Sequence, residues 1–70
     1  MARLNFEQDL ILIYWNSDNS KISYDIKADI LDACNLAEDD IKYSSVIKIE
    51  IWRKVTPEIA IKEFTFVKGD

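Results

Sequence analysis

The run Leu10-Ile11-Leu12-Ile13-Tyr14-Trp15 constrains this chain more than any other segment. Its residues are apolar at both parities. Successive side chains of a strand point to opposite faces, so the run predicts a β-strand covered on both sides. Its β-branched and aromatic residues favour strand over helix. Yet the whole sequence has only 70 residues. That length builds one small core, so 1–70 is read as one domain. Covering both faces of such a strand with so little chain is the problem the fold must solve.

The flanking sequence supplies a partner strand. Leu4 and Phe6 extend the run or form a short strand before it. Asn16-Ser17-Asp18-Asn19-Ser20 is turn chemistry, because short polar side chains bond their own backbone and Asn tolerates positive φ. Lys21 to Ile26 then alternates, with Ile22, Tyr24 and Ile26 on one face and Lys21, Ser23 and Asp25 on the other. The two segments predict a β-hairpin with a five-residue loop.

From about Asp25 the spacing becomes that of a helix. Ile26, Ile30, Ala33, Cys34 and Ala37 fall on one arc of about 100°, and Asp25, Asp29 and Asp32 within about 60° on the far side. The helix is expected to end near Asn35, with Leu36 folding back onto the core. Glu38-Asp39-Asp40 are then a solvated connection, since acids oppose the dipole of a last helical turn.

The remaining chain predicts a second hairpin. Ile47, Ile49 and Ile51 share a face, Lys48 and Glu50 point away, and Trp52 lies on the polar parity. Arg53 to Glu58 is the connection, with Thr56 held extended by Pro57. Ile59-Ala60-Ile61 and Phe64-Thr65-Phe66 form the last strand, and the switch of apolar parity at Lys62-Glu63 predicts a bulge. The fold class is α+β: a small two-layer β-β-α-β-β domain, two antiparallel hairpins with one helix on one sheet face.

Composition excludes several functions. Without histidine, the usual hydrolase triad and zinc sites are missing their commonest member. Gly69 is the only glycine, so no glycine-rich loop cradles a phosphate. Cys34 is the only cysteine, which rules out an internal disulfide, and on the apolar arc of the helix it reads as packing. The acids at 18 and 38–40 lack the spacing of a calcium loop. The expectation is a non-enzymatic protein with no cofactor and no metal. The N-terminal sequence has no long apolar region and no run is long enough to span a bilayer, so a complete, cytoplasmic protein with no membrane partner is expected.

The formal net charge of −4 argues against direct nucleic-acid binding and for a basic protein partner. Two surfaces are candidates. One helix covers one face of a sheet, which leaves Ile11, Ile13, Trp15 and Trp52 uncovered; small chains gain support by self-association, so a homodimer through those residues is expected. The second surface is the acidic stripe Asp25, Asp29 and Asp32, expected to engage the basic partner. Arg53 and Lys54 with Trp15 and Trp52 have the composition of an aromatic-basic patch for single strands, although interface packing accounts for both tryptophans more simply.

In size and charge the chain is similar to small acidic proteins that inhibit nucleic-acid enzymes, phage-encoded blockers of bacterial defence among them. An inhibitor or regulator of that kind is the favoured function. Ile30 to Cys34, the segment 35–40 and the strand at Val46 also resemble the order of elements in swapped-hairpin transcription factors and antitoxins. That resemblance implies an intertwined dimer. Their basic DNA-contacting residues have no counterpart here, so a DNA-binding regulator or antitoxin is the first alternative and a structural subunit of a larger complex the second.

Overall fold

A computed structural model describes residues 7–69. The expectation for Leu4 and Phe6 lies outside them. The elements are β1 (Gln8–Trp15), β2 (Lys21–Ala28), α1 (Ile30–Tyr43), β3 (Lys48–Lys54) and β4 (Ala60–Val67). They form a small α+β fold, one four-stranded sheet of order β2-β1-β3-β4 with the helix on one face. All three pairings are antiparallel. β2 and β3 therefore run parallel with β1 between them, and α1 is the crossover that a parallel relation requires.

The apolar run of β1 occupies an inner position of the sheet, as its double parity predicts. Its even residues Leu10 and Leu12 are fully buried with Ile49 and Ile51 of β3, and Ala33, Ala37, Ile41 and Val46 close the core above them. Alanines at the helix contact let the backbone of α1 approach the sheet closely. Val46, rather than Ile47, enters the core; Ile47 is exposed ahead of β3.

Both hairpin loops are local hydrogen-bonded units. Between β1 and β2, the Asn16 N–H donates to the Ser20 carbonyl at 2.9 Å and Asn19 takes φ 69°, the left-handed conformation expected of asparagine. Ser20 donates from both its N–H (3.0 Å) and its hydroxyl (2.6 Å) to Asp18 Oδ1, which lowers the Asp18 pKa. In the second loop, Thr56 Oγ1 accepts from the N–H groups of Glu58 and Ile59 at 3.2 and 3.0 Å. The bulge is present: Ile51 faces Phe64 while Trp52 faces Lys62, which leaves Glu63 as the extra residue.

The helix differs from its expected bounds at both ends. β2 continues through Ala28, so Asp25 and Ile26 are strand residues paired with Ile11 and Leu10. Asp29 caps the helix, its carboxylate accepting from the Leu31 N–H at 2.9 Å. At the other end α1 runs past Asn35 to Tyr43. Three features offset the unfavourable acids near its C-terminus. Ala37 and Ile41 prolong the buried stripe. The Tyr14 hydroxyl donates to Asp40 Oδ2, and the Lys68 ammonium donates to the Ser44 carbonyl. Segment 35–40 is therefore helical, and the turn on which the swapped-hairpin likeness depended is not formed. Leu36 stays on the helix surface, 47% exposed.

Candidate binding surfaces

The registers sort every strand residue onto one of two faces, because directly opposed residues share a side. The helix side carries Leu10, Leu12, Tyr14, Ile22, Tyr24 and Ile26 from the first hairpin. Helix α1 packs over β3 and β4. Ile22 and Tyr24 on edge strand β2 are left about half exposed. The result is an open groove of about 340 Å³ between helix and β2, lined by Leu12, Tyr14, Tyr24, Ile26, Leu36 and Asp40. Tyr14 and Tyr24 meet edge to face, with centroids 5.4 Å apart, and form part of its floor. Burial, followed by the Asp40 contact, pushes the Tyr14 hydroxyl well above the ordinary tyrosine range.

On the helix side the groove is lined by Leu36 and Asp40. At about 100° per residue, Tyr43, Asp32 and Asp39 follow further out on the same side of the helix, away from its buried stripe. Leu36 and Tyr43 are exposed, as are Asp32 and Asp39. The expected stripe is thus redistributed. Asp32 lies on the outer helix flank and Asp29 at the helix start, whereas Asp25 points to the opposite sheet face, 3.5 Å from Lys54. Asp39 and Asp40, expected in a solvated connection, are helical instead and add to the acidic surface of α1.

On the other sheet face, Ile11, Ile13, Trp15 and Trp52 do come together, as expected. Trp52 is opposite Ile11 and Glu50 opposite Ile13. All four apolar residues are half-buried rather than exposed. Long side chains supply the cover at Trp15. Lys21 and Lys48 place their ammonium groups 5.1 and 4.9 Å from the Trp15 ring centroid, and lysine stems readily cover apolar surface in this way.

Glu50 lies at the centre of this face and is only 7% exposed. Its Oε1 accepts from the indole N–H groups of Trp15 (3.1 Å) and Trp52 (3.4 Å). Its Oε2 lies 3.9 Å from Lys48 Nζ and 3.6 Å from Lys62 Nζ. Burial alone would raise the Glu50 pKa; the two indoles and then the two lysines outweigh it and hold the carboxyl below its usual range. Arg53 is absent from this face. It lies on the helix side and binds Glu63 at 2.6 Å. The aromatic-basic patch expected with Arg53 therefore forms with other lysines.

A second open cavity, about 350 Å³, lies against the loop after β3, between Asp9, Lys54, Val55, Thr56 and Pro57. Cys34 is partly buried against the core, and its thiol pKa is raised by burial and then by Glu38. Among the described residues no group of three or more His, Cys, Asp or Glu side chains is placed to hold a metal ion, and no helix is long and apolar enough to cross a membrane.

No protein-family model, no curated protein and no solved structure matches this chain.

Proposed function

We propose that this protein is a non-enzymatic protein-binding module that docks a basic, amphipathic segment of its partner, as an inhibitor or regulator of a nucleic-acid enzyme would. The observation that carries this reading is the groove between α1 and β2, apolar in its floor, with Leu36 and Asp40 on its helix wall and further acids on the helix surface beyond. Its floor offers tyrosine and aliphatic surface for an apolar anchor, and the exposed Asp32 and Asp39 on the outer helix surface would attract the lysines or arginines of a segment seated there. Strand β2 is also a sheet edge, so its outward backbone groups can pair with an extended partner.

The test is capture of partner from the native host by immobilised wild type, Asp32→Lys/Asp39→Lys and Tyr24→Lys. All three substituted positions are exposed, so circular dichroism is expected to show folded variants. Wild type should retain a basic protein that salt elutes, and both variants should lose it. Equal retention by wild type and variants would remove the groove from the binding site.

Self-association is the second reading, and the exposed Ile22, Tyr24, Ile61 and Phe64 favour it. Sedimentation at micromolar concentration decides it. A monomer throughout that range would leave the partner as the only occupant.

A further inference from the structure

The net charge of −4 is an average over two unlike surfaces. Helix α1 and its cap carry Asp29, Asp32, Glu38, Asp39 and Asp40 against Lys42. The helix-free face carries Lys21, Lys27, Lys48, Lys54 and Lys62 against Asp9, Asp25 and Glu50. The basic excess therefore lies on the same side as both tryptophans, and three of the lysines flank them. Trp15 lies between Lys21 and Lys48, its opposed residues on β2 and β3, and Lys62 is opposed to Trp52.

We infer that the helix-free sheet face is a binding site for single-stranded nucleic acid, with Trp15 and Trp52 as stacking platforms and Lys21, Lys48 and Lys62 as phosphate contacts. Single strands are held without sequence preference by this combination, aromatic rings for the bases and cations for the backbone between them. Glu50 gives the site its rigidity. One carboxylate oxygen receives both indole N–H groups, so the two rings are positioned about a common point before any ligand arrives. The ammonium groups now near the Trp15 ring are the ones a stacked base would displace, and flexible lysine stems can carry them to adjacent phosphates. A double helix keeps its base faces stacked inside, so this face discriminates against it. An acidic peptide would satisfy the lysines but leave the tryptophans without a role.

The only tryptophans in the chain are Trp15 and Trp52, so intrinsic fluorescence reads this site directly. The full-length protein is titrated at low salt with oligothymidylate, with the same length of duplex, with heparin and with polyglutamate. Oligothymidylate is expected to quench the emission and to bind at least tenfold more tightly than the other three. The logarithm of its affinity should fall with the logarithm of salt at a slope of about −2, the value for three phosphates on a single strand. Lys21→Gln/Lys48→Gln, which removes both charges without setting a second carboxylate beside Glu50, should weaken binding at least tenfold, with its fold checked by circular dichroism. Trp15→Leu keeps apolar bulk and removes the ring; with its fold checked by circular dichroism, it should weaken oligothymidylate at least fivefold. No binding of oligothymidylate would overturn the inference. Heparin or polyglutamate binding as tightly would overturn it as well, since the face would then be a plain cation patch. Undiminished binding by folded Trp15→Leu and by the lysine variant would do the same.

Discussion

The two faces of the sheet bury their apolar side chains by different means. On the helix side, Leu10, Leu12, Ile49 and Ile51 are sealed by a packed element, and their buried neighbours are aliphatic, with Tyr14, Cys34 and Phe66 at the margin. On the other side, Ile11, Ile13 and the tryptophans are only half-buried. Lys21 and Lys48 lie over the Trp15 ring, and Lys48 and Lys62 join both indoles in a network centred on Glu50. The first kind of cover is permanent. The second is made of side chains that can move aside, so it can protect a surface between encounters and yield it to a ligand. A chain this short covers apolar side chains on both sides of its sheet while committing only one helix.

That contrast can be broken most directly by removing the same chemistry from each face. Leu12→Ala, at 1% exposure, should cost about 2–5 kcal/mol in denaturant unfolding, enough to unfold much of so small a domain. Ile13→Ala, on the helix-free side, should cost about 1 kcal/mol, because Ile13 is only half-buried and less apolar surface leaves water there on folding. Equal losses would mean that both faces are true core.

Glu50 sharpens the comparison through pH. Its folded pKa is depressed, so its contribution is complete above the ordinary carboxyl value of 4.5 and is lost as pH falls through the lower folded value. Glu50→Gln should cost about 1–3 kcal/mol at neutral pH, as expected for hydrogen bonds to a charged group, and the gap to wild type should close on acidification. Unfolding curves at pH 7 and pH 3 measure both. A gap that stays constant would deny the carboxylate its role in holding the lysines.

The corresponding polar link on the helix side is Tyr14 to Asp40. Tyr14→Phe should cost about 1 kcal/mol. The folded pKa of Tyr14 is raised, so its contribution is fully present below the ordinary value of 10.0 and is lost as pH rises through the folded value. Wild type should lose stability in strong alkali more steeply than the variant. Smallest of all, Lys27→Ala removes an exposed ion pair with Asp9 at 3.8 Å and should change stability by less than about 0.5 kcal/mol. A larger loss would show that lysines outside the Glu50 network also brace that face.

Much of this architecture was legible because it depends on short-range pattern. Asn16 to Ser20 announces its loop, and the switch of parity at Glu63 announces its bulge. The helix start was ambiguous for a definite reason. Ile22, Tyr24, Ile26 and Ala28 satisfy the period of a strand, while Ile26, Ile30, Ala33 and Ala37 satisfy that of a helix, so Ile26 belongs to both patterns. Cross-strand pairing with Leu10 decides between them, and that partner is distant in sequence. The helix end is hidden for the same reason: Tyr14 and Lys68, which support its acidic last turns, are also distant in sequence. The two candidate surfaces were legible only in part. Ile11, Ile13, Trp15 and Trp52 could be assigned to one face by parity alone. The convergence of two indoles and two lysines on Glu50 needed the β1–β3 register, and the charge division between faces is cancelled in any net sum.

The central place of β1 also sets a hazard during synthesis. Its hairpin partner β2 follows at once, but its other neighbour, β3, is complete only at Lys54. A ribosome adding roughly 5–20 residues per second needs about 2–8 s to cover that interval of about forty residues. From the moment β1 leaves the ribosome until β3 joins it, one edge of the strand Leu10 to Trp15 has hydrogen-bonding groups to offer and no native strand to receive them. Nascent chains crowded on one message could pair through that edge before α1 brings β3 home.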